Sequence, residues 1–294
     1  MRNSGPVLGV LAVILALWYA GSVWLNAAWT YDQAARAGTE VTFSTLLSDT
    51  MAQERPVLPA PHQVATELWK GLTGYAVTSK KSLVYHGLVT LTSTFWGFVM
   101  GTGLGILMAV GIVRSRTLDL GLMPWAIISQ TVPVVAIAPM IVVLSNSLGL
   151  GDHLGIDNRL VSKTIIAAYL SYFPVLVGMI KGLRSPDQMQ LDLLKTYNAS
   201  ESQGFLKLRL PASVPFLFAS LKVGIEASLV GAIVGELPTG TIEGLGARML
   251  IGSQFGSPIV VWAALFAAAI LAGVLILVVR ALETVVVKRM GVRA

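Results

Sequence analysis

RSPDQMQLDLLKTYNASESQGFLKLRLPASVP, residues 184–215, is a polar stretch set between two apolar runs in an otherwise very hydrophobic chain. It is too long for a tight turn between membrane spans, so it should meet a partner on one side of the bilayer. Met189, Leu193, Leu194 and Tyr197 recur at helical spacing over 188–197, with no Gly or Pro between them. Asn198 follows where the helix should stop in the left-handed conformation, which Gly tolerates best and Asn next. Ser200 and Gln203 form a capping box for a second helix. That helix would present Phe205, Leu206 and Leu208 to a partner, and Pro211 ends it or starts the next span. On these local signals alone, a surface loop with two chance caps fits equally well.

The composition around the stretch places it in a membrane. Of 294 residues 54% are hydrophobic and 12% charged, with mean hydropathy +0.73, whereas soluble domains carry about 25% charged residues. There is no cysteine, which excludes a disulfide framework, thiolate catalysis and cysteine-based metal sites. The net charge of +6 does not point to nucleic acid, because the basic residues lie in loops beside apolar runs and form no patch with interleaved aromatics. No cofactor motif and no metal motif occurs, and His62, His86 and His153 fall in or near outer segments as solvated side chains.

Working outward, six spans are expected. Val7–Asn26 is long enough to cross about 30 Å of hydrocarbon, and Trp18, Tyr19, Trp24 and Trp29 cluster at its far end like an aromatic belt. A retained anchor over 1–26 competes with a signal peptide cleaved near Ala27-Ala28. Residues 27–85 would lie outside, with an extension of no strong periodicity through Glu54. The Pro-rich run 56–61 then leads to a short amphipathic helix on Val64, Leu68 and Leu72, and a plain stiff linker is the competing reading. The membrane domain over 86–284 holds the other five spans. Leu88–Val113 carries Gly97, Gly101, Gly103 and Gly105, small residues that let helices approach closely. Leu118–Leu148 is too long for one straight span and is broken by Pro124, Pro133 and Pro139. Freed backbone groups at membrane depth need protein or water, so its polar side chains Gln130, Thr131 and Asn146 are candidates for a solute path. Leu160–Ile180, Phe216–Leu237 and Ile259–Leu282 follow, with a Gly-rich outer loop over 238–256 and a tail over 285–294.

Six alternating spans put both termini and the polar stretch on one side. That side collects Arg2, Arg114, Arg116, Lys181, Arg184, Lys195, Lys207, Arg209, Arg280, Lys288, Arg289 and Arg293, the larger share of the 21 Lys and Arg. By the positive-inside rule it is the cytoplasm.

Two acidic residues fall within apolar runs. Glu226 lies near mid-membrane, where an ionisable group costs on the order of 3 kcal/mol and is a functional candidate. A place on the solute path competes with a structural pair to Lys222, one helical turn back. Glu236 lies near the outer end beside Pro238, where capping or loop anchoring competes with solute contact.

Taken together, these motifs resemble ABC importer permeases of the nitrate/taurine/alkanesulfonate type. Their cytoplasmic signature reads Glu-Ala-Ala, three residues, Gly, nine residues, Ile, one residue, Leu-Pro. Here Asp192 falls on the Glu, Asn198 on the Gly, Leu208 on the Ile and Leu210-Pro211 on the Leu-Pro, while Leu193 and Leu194 replace the two alanines. The flanks Leu210–Pro215, Leu221–Gly224 and Gly235-Glu236 running to Gly244–Gly246 are also similar, and the resemblance covers roughly 56–290. It implies an all-α integral membrane protein of six transmembrane helices, with the type I ABC importer permease fold.

The resemblance further implies two permease copies in a homodimer surrounded by lipid, two separate ABC ATPase subunits and a periplasmic substrate-binding protein. No Walker A pattern and no catalytic residue is found, so ATP hydrolysis belongs to the partner. Coupling to it is assigned to Asp192, Asn198, Ala199, Ser200, Glu201, Phe205, Leu208, Leu210 and Pro211. Implied substrates are a sulfonate- or nitrate-like anion or a pyrimidine-type vitamin precursor. An ion-coupled secondary transporter would need internal inverted repeats, and a membrane enzyme would need a His/Asp/Glu cluster; neither is found.

Overall fold

The computed structural model describes residues 4–290, which are helical with no strand among the described residues. The chain forms two compact units: Met1–Gly87 with Ala247–Ala268, and Leu88–Gly246 with Ala269–Ala294.

In the first unit, α1 (Ser4–Ala37) continues well past the expected end of the span at Asn26. Residues 27–37 are Ala-rich and free of Gly and Pro, and Gly38, at φ +66°, ends the helix. After it come α2 (Phe43–Ala52) and the amphipathic α3 (Pro61–Thr73), so the expected extension is a helical hairpin. Fully buried Asn26 straps the Pro-rich run to α1: its Nδ2 donates to Leu58 O at 2.9 Å and its Oδ1 accepts from Val57 N–H at 2.8 Å. Trp18 Nε1 donates to Pro59 O at 3.0 Å, and its ring lies 5.1 Å from that of Trp262. Trp18 is thus a packing residue, whereas Trp24 and Trp29 stay exposed. His86, expected to be solvated, is buried on the Lys80 carbonyl oxygen at 3.0 Å.

The second unit contains most of α4 (Leu83–Arg114), followed by α5 (Arg116–Ser129), α6 (Val134–Ser147), the single turn α7 (Leu150–Leu154) and α8 (Asn158–Leu183). α8 is the central helix. Its Val175, Leu176, Met179 and Leu183 form a buried core with Ala109 and Ile112 of α4. Gly97, Gly101 and Gly105 make that contact possible: a Cβ at Gly97 would collide with Ala167 and one at Gly101 with Ser171. Gly103 has no such neighbour.

Only one of three prolines breaks the third segment. Pro124 and Pro139 lie inside α5 and α6, and these two helices meet at 103° across residues 130–133. The Ser129 carbonyl would normally pair with the N–H of residue 133, which proline lacks. The Tyr169 hydroxyl of α8 donates to that carbonyl instead. Among the described residues five helices are long and apolar enough to cross a membrane, and the bent pair supplies a sixth span when counted as one.

Then come α9 (Gln188–Thr196), α10 (Glu201–Gly204), a π turn over Phe205–Arg209 and α11 (Leu210–Glu236). In the widened turn Leu210 N–H bonds the Phe205 carbonyl, five residues back, which makes room for the Pro211 ring. Gly178 and Gly182 of α8 lie against Ser220 and Ser213 of α11. α12 (Leu245–Gln254) occupies the expected Gly-rich loop, because packing of fully buried Ala247 outweighs the low helix propensity of Gly246 and Gly252. Finally, α13 (Pro258–Arg289) runs through the first half of the expected tail. Arg2 and Arg293 lie outside the described residues.

Candidate coupling element and solute path

The turn between α9 and α10 is built by local hydrogen bonds. Asn198 N–H bonds Lys195 O at 2.9 Å and Ala199 N–H bonds Leu194 O at 3.0 Å. This is the Schellman closure of a helix, with its left-handed residue at Asn198. Asn198, at φ +53°, is the sole non-glycine residue with positive φ among the described residues. The next helix is capped immediately: Gln203 N–H donates to Ser200 Oγ at 3.3 Å and Ser200 N–H to Gln203 Oε1 at 2.9 Å. Asp192 accepts from Lys195 Nζ and from Gln188 Nε2, each at 3.1 Å. The Lys195 hydrogen bond, foremost, holds the Asp192 carboxyl below its usual range.

No side chain of α9, α10 or the π turn is buried. Asp192, Asn198, Ser200, Glu201, Leu210 and Pro211 are exposed, and Ala199 and Leu208 half-buried. Phe205 does not point to a partner as expected. It packs on the core of its own unit with the Arg114 guanidinium 4.4 Å from its ring centroid. Two more arginines fasten the element, Arg209 Nη1 to Leu183 O at 3.2 Å and Arg184 Nη2 to Asp119 Oδ2 at 2.8 Å. Sequence reasoning took these arginines as topology markers, because nothing in their spacing reveals where a long side chain folds back. Between α9, α10 and the end of α4 lies a cavity of about 690 Å³, lined among others by Arg114, Leu191, Leu194, Lys195, Glu201 and Phe205.

The polar residues assigned to a path are dispersed. Gln130 and Thr131 are exposed at the bend between α5 and α6, while Asn146 is exposed at the far end of α6. Glu226 is exposed on α11. The pair expected between Lys222 and Glu226 is not formed, since Lys222 Nζ lies 2.7 Å from Glu283 Oε2 of α13. The longer reach to a neighbouring helix replaces the contact within one helix.

Glu236 is fully buried. Its Oε1 accepts from Thr90 Oγ1 of α4 at 2.8 Å and its Oε2 from Gly246 N–H at 2.7 Å, while Thr90 Oγ1 accepts from Leu245 N–H at 2.9 Å. Gly244, at φ +119°, passes so close that a Cβ there would collide with the carboxylate. This is the geometry of a loop anchor, with no surface left for a solute.

Among the described residues, five helices long and apolar enough to cross a membrane, a bent pair that can supply a sixth span and an exposed pair of short helices are the makings of a multi-pass membrane protein. Residues 101–292 match the family described as binding-protein-dependent transport system inner membrane component, and the chain belongs to it. It is 34% identical over 194 residues to a Haemophilus influenzae chain named "Probable ABC transporter permease protein", covering 66% of this chain and 71% of that one. It is 29% identical over 205 residues to the riboflavin transport system permease protein of Chloroflexus aurantiacus, covering 69% and 70%. Among solved structures, inward-facing MetNI methionine ABC transporter matches with TM-score 0.51 at 17% identity, over 76% of this chain and 96% of that one. The fold is that of a type I importer permease. The chain is a multi-pass inner-membrane permease of an ABC importer, a transport component.

Proposed function

We propose that the chain works as a homodimer, that a substrate-binding protein delivers a small solute to its outer face, and that a separate ABC ATPase docks on α9 and α10. The observation that carries this reading is the element built on Asn198 and Ser200: rigidly closed and capped, yet without a buried side chain. Such a piece is shaped for a partner rather than for its own core. Phe205, stacked under Arg114 at the end of α4, ties α10 to the spans, so a push on α10 is felt along α4 and α11. The sequence pattern at Asp192, Leu208 and Leu210-Pro211 supports the same assignment.

In this reading both termini and the element face the cytoplasm, which requires the bent pair of α5 and α6 to cross the membrane once. α1 is retained as an anchor, consistent with the hydrogen bonds of Asn26 to Val57 and Leu58 beyond it. The chain has no cysteine, so Glu201→Cys introduces a single thiol. Paired with a cysteine in the ATPase groove, it should crosslink in the assembled complex, with a yield that changes during ATP turnover. Labelling of position 201 from outside intact cells would mean that the bent pair returns to the side it left, and the docking assignment would fall.

A further inference from the structure

Past Leu210 and Pro211, which are exposed in its first turn, the exposed positions of α11 are Pro215, Ala219, Val223, Glu226 and Val230, followed by its exposed C-cap Leu237. The steps of three, four and seven residues put them on one stripe down the whole helix. That stripe is apolar except for one carboxylate. Glu226 lies sixteen residues from Leu210 and ten from Glu236, so about 24 Å and about 15 Å from the two ends of α11. The cation one turn away is already engaged, because Lys222 is held by Glu283. Among the described residues Glu226 has no hydrogen-bond or ion-pair partner.

Hydrocarbon cannot solvate an ionised carboxylate, and charged side chains within spans face protein or a water-filled cavity. The stripe therefore does not face lipid. With Lys222 neutralised by Glu283, the field along the stripe is negative. Its apolar flanks, Val223 and Val230, provide a low-dielectric wall that strengthens that field.

We propose that the α11 stripe lines the solute path and that Glu226 is its charge filter, so that the permease passes neutral or cationic hydrogen-bond donors and turns away anions such as sulfonates. This rests on the permease reading above. In that setting the carboxylate accepts hydrogen bonds from N–H or O–H groups of a passing solute, while an anionic headgroup meets it without a compensating cation.

The test needs no knowledge of the solute. Val230→Cys, one turn from Glu226, is introduced into the otherwise thiol-free chain and assembled with its partners in membrane vesicles. Its modification rates with a cationic trimethylammonium-ethyl and an anionic sulfonato-ethyl methanethiosulfonate are each normalised to the rate with 2-mercaptoethanol. The cationic reagent should be favoured about tenfold, as expected of a unit charge one turn away at intermediate dielectric. Adding Glu226→Gln should remove the preference. Val223→Cys on the other flank serves as a second position in case the first variant does not assemble. Equal normalised rates with Glu226 present, or a preference that survives Glu226→Gln, would overturn the charge filter. Protection of both positions from both reagents would overturn the path assignment itself. Failure of the ATPase crosslink at position 201 would instead strike the permease reading, so the two failures are distinguishable.

Discussion

The two ends of the helical run Glu201–Glu236 are fastened in opposite ways. At its start, the turn at Asn198 and the cap at Ser200 are made by groups at most five residues apart, all in solvent-facing helices. At its end, Glu236 is fully buried and bonded to Thr90, 146 residues away in sequence. The difference teaches what each end does. A locally closed element keeps its shape wherever its partner moves it. A buried polar network holds one arrangement, because breaking any of its bonds strands a desolvated donor or acceptor.

The largest effect is expected at the buried end. Glu236→Ala leaves the Thr90 hydroxyl and the Gly246 N–H without their acceptor, a loss of about 2–6 kcal/mol if each stranded group costs its usual penalty. Thermal unfolding of the purified permease in detergent should show a clearly lowered midpoint. An unchanged midpoint would remove the contrast between the ends.

At the exposed end stability and function should part company. Asn198→Val places a β-branched residue at positive φ, a local cost of about 1–2 kcal/mol that re-aims Ser200. The unfolding midpoint should move little, since no residue of α9 or α10 is fully buried. Substrate-stimulated ATP hydrolysis by the assembled complex should nevertheless fall sharply. Normal stimulation by the Val variant would mean that the turn geometry does not transmit the stroke.

The smallest effect sharpens the same point. Asn198→Gly meets positive φ without steric penalty, partly offset by the greater freedom of Gly in the unfolded chain. Stability should change by about half a kcal/mol or less, and transport should be retained. A Gly variant as defective as the Val variant would assign the role of Asn198 to its side chain rather than to its backbone conformation.

What the sequence determined by itself is whatever depends on neighbours along the chain. Asn198 as the left-handed residue, the Ser200–Gln203 box and the helix over 188–196 follow from steric and capping rules acting within a few residues. The apolar runs follow from the solvent they must face. Contacts between distant residues were decided by the tertiary structure. Lys222 sits one turn from Glu226, yet its ammonium reaches Glu283. Of three prolines in one segment, only Pro133 breaks it, and Tyr169 in another helix supplies the hydrogen bond that makes the break tolerable. Glu236 is an anchor because Thr90 and Gly246 converge on it. An i,i+4 pattern states which groups share a helix face, whereas the partner of a buried charge is set by which helices pack together, and that is a property of the whole fold.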